Sequence, residues 1–340
     1  MRIRVNYPTE GGALVLRTAH DWDADLHPVE SDATHAVFEV DVPLPHLALK
    51  PCLRRDGALH WALGENYVLS ANEPDPDIWP VFFGNPHGRV CDEEVHTFEG
   101  RRYEVRIYLP PGYDENTLRT FPVLYMQDGD NLFFPEEAFG GREWRVDETM
   151  DRLDRMNAVR KAIVVGVSPH DRMQDYTAPG YHTYGRFLVE ALKPAIDARF
   201  RTRRGPADTV AIGSSLGGVV SMHLAWTHPD VFGCAACLSS TFGYRDDLFA
   251  RIASETAPPI RIYLDSGWPR DNFDATNAMR DLLVHRGYRL GIDVLHFSFP
   301  EGTHNEGSWA GRLHLPFQFF LGRAWSAAAH RAEHRAVGPR

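Results

Sequence analysis

The sequence predicts an α/β protein: a largely parallel sheet covered by helices, preceded by a small all-β sandwich domain. Three observations carry that expectation. Residues 1–90 hold short apolar runs between Pro, Gly, Asp and Asn, with no stretch of 3.6-residue apolar period. From residue 91 onward, continuous apolar runs alternate with amphipathic stretches, as expected of strands buried on both faces. A Gly-x-Ser-x-Gly turn joins one of those runs to a helix.

In chain order, Ala13-Leu-Val-Leu-Arg17, Ala36–Val42 and Leu47–Lys50 read as strands, the second alternating in and out with period two. Together they suggest the sandwich. Ala71–Asp77 reads as a connecting loop and Phe82–Gly88 as a second turn-rich stretch. Strands are then expected at Arg102–Leu109, Pro122–Met126, Ala162–Val167, Thr209–Ile212, within Val231–Leu238, at Ile260–Leu264 and at Asp293–Phe297. Phe187, Leu188, Leu192, Ala195 and Ile196 recur at helical spacing within 184–200, as do Met279, Leu282 and Leu283 within 277–286. The Ala/His/Arg-rich end has no core-forming pattern. The expected layout is therefore a sandwich at 1–90, an α/β domain at 91–324 and a flexible tail at 325–340.

Composition narrows the function. The 340 residues carry 36 Lys+Arg against 46 Asp+Glu, a formal net charge of −10. That balance disfavours general nucleic-acid binding, which depends on clustered positive charge. No run approaches the ~18 apolar residues of a membrane span. No apolar segment follows Met-Arg-Ile-Arg-Val-Asn-Tyr-Pro, so no secretory signal is expected. Four cysteines are too few for a disulfide framework, which fits a reducing cytoplasm. Cys234-Ala-Ala-Cys237 lies inside an apolar run and reads as a buried strand rather than a redox or metal pair.

The chemistry centres on Thr209-Val-Ala-Ile-Gly-Ser-Ser-Leu-Gly-Gly218. Gly213-x-Ser215-x-Gly217 sits between a β-branched strand and an amphipathic helix, the context of a nucleophile elbow. Ser215 is the candidate nucleophile, and a serine alcohol needs a base. In chain order Ser, acid, His, the base should follow the last strand, where His304 stands in Gly302-Thr-His-Asn305. The acid should follow Ile260–Leu264, where Asp265, Asp271 and Asp274 compete. Asp271 is favoured because it lies further along the loop, able to reach over the sheet edge. The oxyanion hole should combine the Leu216 N–H with an N–H of Gln127-Asp-Gly-Asp-Asn-Leu132, from Asp130 or next Gly129, whose freedom suits the required backbone path. The carboxylates of Asp128 and Asp130 could alternatively form a metal loop, but no further ligands follow at regular spacing, so no metal or other cofactor is expected.

From about 95 to 324 the chain resembles the putative-esterase branch of the α/β-hydrolases, which includes enterochelin esterases, S-formylglutathione hydrolases, feruloyl esterase modules and mycolyltransferases. The matching pieces are Val123–Phe133, Glu143–Glu148, Ile163–Val167, the Ser215 elbow, Tyr263–Gly267 and Gly302–Trp309. Arg172-Met-Gln-Asp-Tyr176 is similar to an Arg-x-x-Glu-Tyr segment of the family. The resemblance implies an α/β-hydrolase fold. Family members often place the acid soon after the Gly of its loop, whereas here Trp268-Pro-Arg270 intervenes before Asp271.

The resulting expectation is a serine carboxylester hydrolase acting through an acyl-enzyme on a small-molecule ester: a siderophore, aryl or sugar ester. The alternatives are acyl transfer to a sugar or alcohol, and a non-catalytic carbohydrate-binding protein. Loop positions suggest an aromatic-lined cleft with Trp144, Tyr176 and Trp268 as substrate-binding residues. Trp22, Trp61, Tyr67 and Trp79 read either as fillers of a small sandwich core or as a sugar-stacking surface, with core filling favoured. Oligomeric state is not readable from the sequence.

Overall fold

Runs of Val, Ile, Ala and Cys suit a pleated surface packed on both faces, and they build the main sheet. The computed structural model describes residues 1–41, 46–70 and 75–322, so the expected tail at 325–340 and most of the expected 71–77 loop lie outside the described residues. Eight strands frame the site: β1 (Glu94–Phe98), β2 (Arg101–Leu109), β3 (Val123–Gln127), β4 (Ile163–Ser168), β5 (Thr209–Ser214), β6 (Cys234–Leu238), β7 (Arg261–Trp268) and β8 (Val294–Pro300). Their order is β2-β4-β3-β5-β6-β7-β8, with β1 paired on β2. The pairings β1·β2 and β2·β4 are antiparallel and the rest are parallel. Every residue of β3, β4, β5 and β6 is buried, which explains their continuous apolar runs.

Register aligns the strand ends. Ser214 of β5 pairs with Leu238 of β6, and Leu238 with Asp265 of β7. The loops leaving this carboxyl edge carry Asp128, Ser215, Ser239, Asp271 and His304, residues that no local motif unites. Ligand sites of parallel sheets form at that edge. Cys234 and Cys237 lie buried in β6 outside any disulfide, and desolvation pushes the Cys237 thiol well above its ordinary value.

The chain divides into two compact units: residues 1–89 with 110–120 and 151–160, and residues 90–109, 121–150 and 161 onward. The sequence suggests a single cut at 90, because the two returning segments carry polar anchors rather than an apolar pattern. The Glu115 carboxylate accepts from the backbone N–H groups of Phe82 (2.7 Å), Phe83 (3.1 Å) and Gly84 (2.5 Å). Asn116 donates to the carbonyls of Asn6 and Pro80, and Asn157 to that of Glu65.

The first unit holds two sheets. One runs Glu30–Ser31, His35–Glu39, Arg2–Asn6, Asp77–Ile78; the other runs Asp21–Leu26, Ala13–Thr18, His46–Arg55, Ala58–Trp61, with Tyr67–Ser70 also paired on His46–Arg55. Ile3, Val5 and Phe38 of the first and Leu14, Leu16, Leu49 and Leu53 of the second join one buried cluster. Each such side chain contributes roughly 1.5–3 kcal/mol on burial. Of the four aromatics singled out in the sequence, Tyr67 belongs to this cluster, whereas Trp61 is 42% exposed and its ring lies 6.4 Å from that of Trp22.

Candidate active site

Ser215 stands between β5 and the helix Leu216–Thr227, at φ 54° and ψ −122°. That region is costly for a residue with a Cβ, about 1–3 kcal/mol, and the turn is held because bare backbone packs beneath it. A Cβ on Gly213 would overlap the Gly217 carbonyl, and one on Gly218 would overlap Ser240 Oγ. Gly213 of the motif and Gly218 just beyond it are thus required by close approach, and Ser215 is lifted above the edge of the sheet.

His304 follows β8 and bridges two partners. Its Nε2 lies 2.9 Å from Ser215 Oγ and its Nδ1 lies 2.6 Å from Asp271 Oδ1. With a carboxylate at Nδ1, the neutral ring carries its proton there and leaves Nε2 as acceptor for the serine O–H. The Trp309 ring meets the imidazole edge to face at 5.0 Å. Of the competing acids, Asp271 alone reaches His304. Asp265 is fully buried and accepts from Tyr263 O–H at 2.8 Å, and Asp274 sits exposed in the first turn of the helix Phe273–His285.

Behind His304, burial pushes the Asp271 carboxyl up, but hydrogen bonds from His304, Ser239 and the Gly267 N–H outweigh it and hold it below the usual value. Ser239 Oγ donates to Asp271 Oδ2 at 2.5 Å and Gly267 N–H donates at 2.8 Å. Buried Arg312 lies 3.1 Å from Asp265 Oδ1 and 3.7 Å from Asp271 Oδ2. Desolvation still pushes the Asp265 carboxyl up to about 6, against the pull of Arg312.

On the other flank, Leu216 is the first residue of its helix, so its N–H has no acceptor within the helix. The loop after β3 turns at Asp128, whose φ is 56°, into a short 3-10 turn, Gly129–Asn131. The left-handed residue is therefore Asp128 and not Gly129. Gly129 is needed for another reason: a Cβ there would lie 2.9 Å from the backbone of Gly166 and Ser168 in β4. Asp128 N–H donates to the Tyr176 hydroxyl at 3.0 Å, and its carboxylate takes two bonds from Arg172, at 2.7 and 2.9 Å. Tyr184 O–H donates to Gln127 Oε1, and its ring packs against Tyr176.

These groups open into a cavity of about 660 Å³ lined by Asp128, Asp130, Asn131, Glu137, Phe139, Pro169, Arg172, Ser214, Ser215, His304, Asn305, Glu306 and Trp309. Ten of these thirteen residues are polar or charged, and none of the three rings expected to line the cleft, Trp144, Tyr176 and Trp268, is among them. Trp144 is 1% exposed and backs Trp309, with ring centroids 5.8 Å apart. Tyr176 is fully buried beneath Asp128, and Trp268 is 48% exposed outside the lining. Sequence position alone could not separate a ring facing the cavity from one behind it. The chain's alternation hides Ser239, Arg312 and the indole of Trp309 as site partners for a related reason: they lie far from Asp271 in sequence and meet it only through the order of β5, β6 and β7. Among the described residues, one group has metal-ligand spacing, the exposed carboxylates of Glu93, Glu104 and Asp130.

Residues 96–315 match the model of the family described as "Putative esterase". The chain belongs to that family. Among curated relatives, this esterase-family chain is 26% identical over 166 residues to "Uncharacterized protein YbbA" of Bacillus subtilis (strain 168), covering 44% of this chain and 61% of the relative. It is 24% identical over 193 residues to "Endo-1,4-beta-xylanase/feruloyl esterase" of Xylanibacter ruminicola, covering 54% of this chain and 25% of the relative. Among solved structures, a ferulic acid esterase superposes with a TM-score of 0.58 at 16% identity, covering 69% of this chain and 98% of the other. Ferric enterobactin esterase of Salmonella typhimurium also reaches 0.58, at 13% identity, covering 97% and 94%. These structural likenesses establish the fold of an esterase-family hydrolase. Among the described residues, no helix is long and apolar enough to cross a membrane.

Proposed function

We propose that this esterase-family chain is a serine carboxylester hydrolase with Ser215, His304 and Asp271 as its catalytic triad. The observation that carries the reading is His304 itself, hydrogen-bonded at one nitrogen to Ser215 Oγ and at the other to Asp271 Oδ1, over one cavity. His304 Nε2 takes the Ser215 proton as Oγ attacks the ester carbonyl. The N–H groups of Leu216 and Asp130 hold the tetrahedral oxyanion at a helix N-terminus, where the dipole favours negative charge. His304 then returns the proton to the leaving alcohol, giving an acyl-Ser215. Water deprotonated by the same nitrogen attacks this acyl group and releases the acid with free Ser215.

The acids and amides in the cavity lining favour an ester rich in hydrogen-bonding groups over a long alkyl chain. Aryl esters of the feruloyl kind and siderophore esters, the classes suggested by a ferulic acid esterase and a ferric enterobactin esterase among the structural neighbours, are the ones to assay first. The two sheets with one shared core support reading the first unit as a small β-sandwich.

The test is turnover of p-nitrophenyl acetate by the wild type and by Ser215→Ala, with mass analysis after a fluorophosphonate probe. The expected result is loss of turnover in the variant and one adduct on Ser215 in the wild type. Equal turnover by the two proteins overturns the proposal.

A further inference from the structure

We infer that Ser239 is a positioning residue for the triad, with its single proton locked toward Asp271 by Trp309 and Arg312; this rests on the proposed triad. A serine hydroxyl offers one donor and two acceptor lone pairs. Around Ser239 Oγ, both acceptor places are filled: Trp309 Nε1–H donates at 3.0 Å and Arg312 Nη2–H at 2.7 Å. Neither of those partners can accept in return. The remaining bond, to Asp271 Oδ2 at 2.5 Å, must therefore carry the Ser239 proton. Most serine hydroxyls rotate to suit their surroundings, whereas this one has a single arrangement.

The consequence reaches the reacting atoms through Asp271. Its Oδ2 is pinned by Ser239 and the Gly267 N–H, so Oδ1 is fixed toward His304 Nδ1. The same donors keep Asp271 ionised although it is only 1% exposed and a second buried carboxylate, Asp265, shares Arg312 with it. The groups that face this array are His304 and Gly267 on Asp271, Trp309 and Arg312 on Ser239, and Tyr263 and Arg312 on Asp265. The backbone adds to the fixity. Ser239 sits at φ 44°, its N–H donates to the Asp265 carbonyl and its own carbonyl accepts from Asn272 Nδ2.

The array also sets the sign of a pH effect. Ser239 is one of the donors that hold the Asp271 carboxyl down, so without it Asp271 protonates at higher pH. His304 then loses its ionised partner at higher pH, so the acid limb of kcat/KM moves upward.

The experiment is a double-mutant cycle on p-nitrophenyl acetate with Ser239→Ala and Asp271→Ala, with full pH profiles. Ser239→Ala alone is expected to lower kcat about 10-fold, in line with one hydrogen bond to a charged group, with KM within about twofold and the acid limb raised. In the Asp271→Ala background the same change is expected to do almost nothing, because its route to His304 is gone. An equal loss in both backgrounds, or an unmoved acid limb, overturns the inference. If Ser239→Ala does not fold, Trp309→Phe removes one of the two locking donors and keeps a ring. The low-field proton resonance of the His304–Asp271 bond should then shift, and an unchanged resonance counts against the lock. Full activity of Ser215→Ala would instead overturn the triad itself, so the two failures are distinguishable.

Discussion

The two flanks of Ser215 are supported by different physics. On the Asp271 side the supports manage charge: two buried carboxylates, Asp265 and Asp271, face Arg312 and His304, with Ser239 between them. On the Asp128 side they manage backbone shape. Buried tyrosines and Gln127 hold a left-handed residue in place, and the ion pair of Arg172 with Asp128 lies at the cavity wall. The difference teaches what each flank delivers. In the proposed mechanism the imidazole needs a charged partner at a fixed angle, whereas the oxyanion needs neutral N–H groups that do not move.

The largest test of this contrast removes the charged flank outright. Asp271→Asn is expected to lower kcat by about 10³–10⁴ while leaving the fold intact, because His304 then takes the wrong tautomer. Steady-state kinetics with circular dichroism checks it, and a loss under tenfold would mean that the carboxylate matters little.

A second test breaks the shared floor. Gly213→Ala forces a Cβ against the Gly217 carbonyl, so a loss of about 1–3 kcal/mol in urea unfolding is expected together with a collapse of activity. Retained stability would show that the elbow can shift.

The backbone flank should respond more mildly. Tyr176→Phe removes the acceptor of the Asp128 N–H, leaving a buried donor unpaired at a cost of about 1–3 kcal/mol. A fall in kcat of about tenfold with an unmoved pH profile is expected, in contrast to the profile shift of the Ser239 variant. A matching pH shift would erase the distinction between the flanks.

The smallest effect is in stability against pH. Asp265 is raised to about 6 in the folded chain, against ~3.9 when unfolded. Between those values the folded chain holds a proton that the unfolded chain has released. The contribution of Asp265 to stability therefore falls as pH rises from about 4 to 6, and is level above that window. Asp265→Asn should flatten the slope of Tm across this range, and an unchanged slope would assign it elsewhere.

The sequence made much of this legible, and for physical reasons. Strands buried on both faces print continuous apolar runs, so β3 to β7 are found to within a few residues, and β8, only partly buried, runs three residues past its expected end at Phe297. The elbow is legible because a tight turn demands glycines at fixed offsets. Boundaries drift where chemistry is quieter. The helix read at 277–286 begins at Phe273, after Asn272 in a left-handed conformation, and the helix read at 184–200 begins at Tyr181 and passes through a π-helical stretch at Phe187–Leu192. Arg2–Asn6, Asp21–Leu26, Ala58–Trp61 and Tyr67–Ser70 are strands that the sequence left unassigned, being short and polar on one face. Pro51 likewise hid the length of His46–Arg55, since proline ordinarily interrupts a strand.

One detail of the elbow bears on how such a chain could change its preferences. The height of Ser215 is set where peptide meets peptide, between Gly213 and Gly217, and not by any exchangeable side chain. Variation there is closed to ordinary substitution. New specificities must instead be written into the walls around it, the stretches 128–139 and 304–309, which can diversify while the alcohol beneath them stays put.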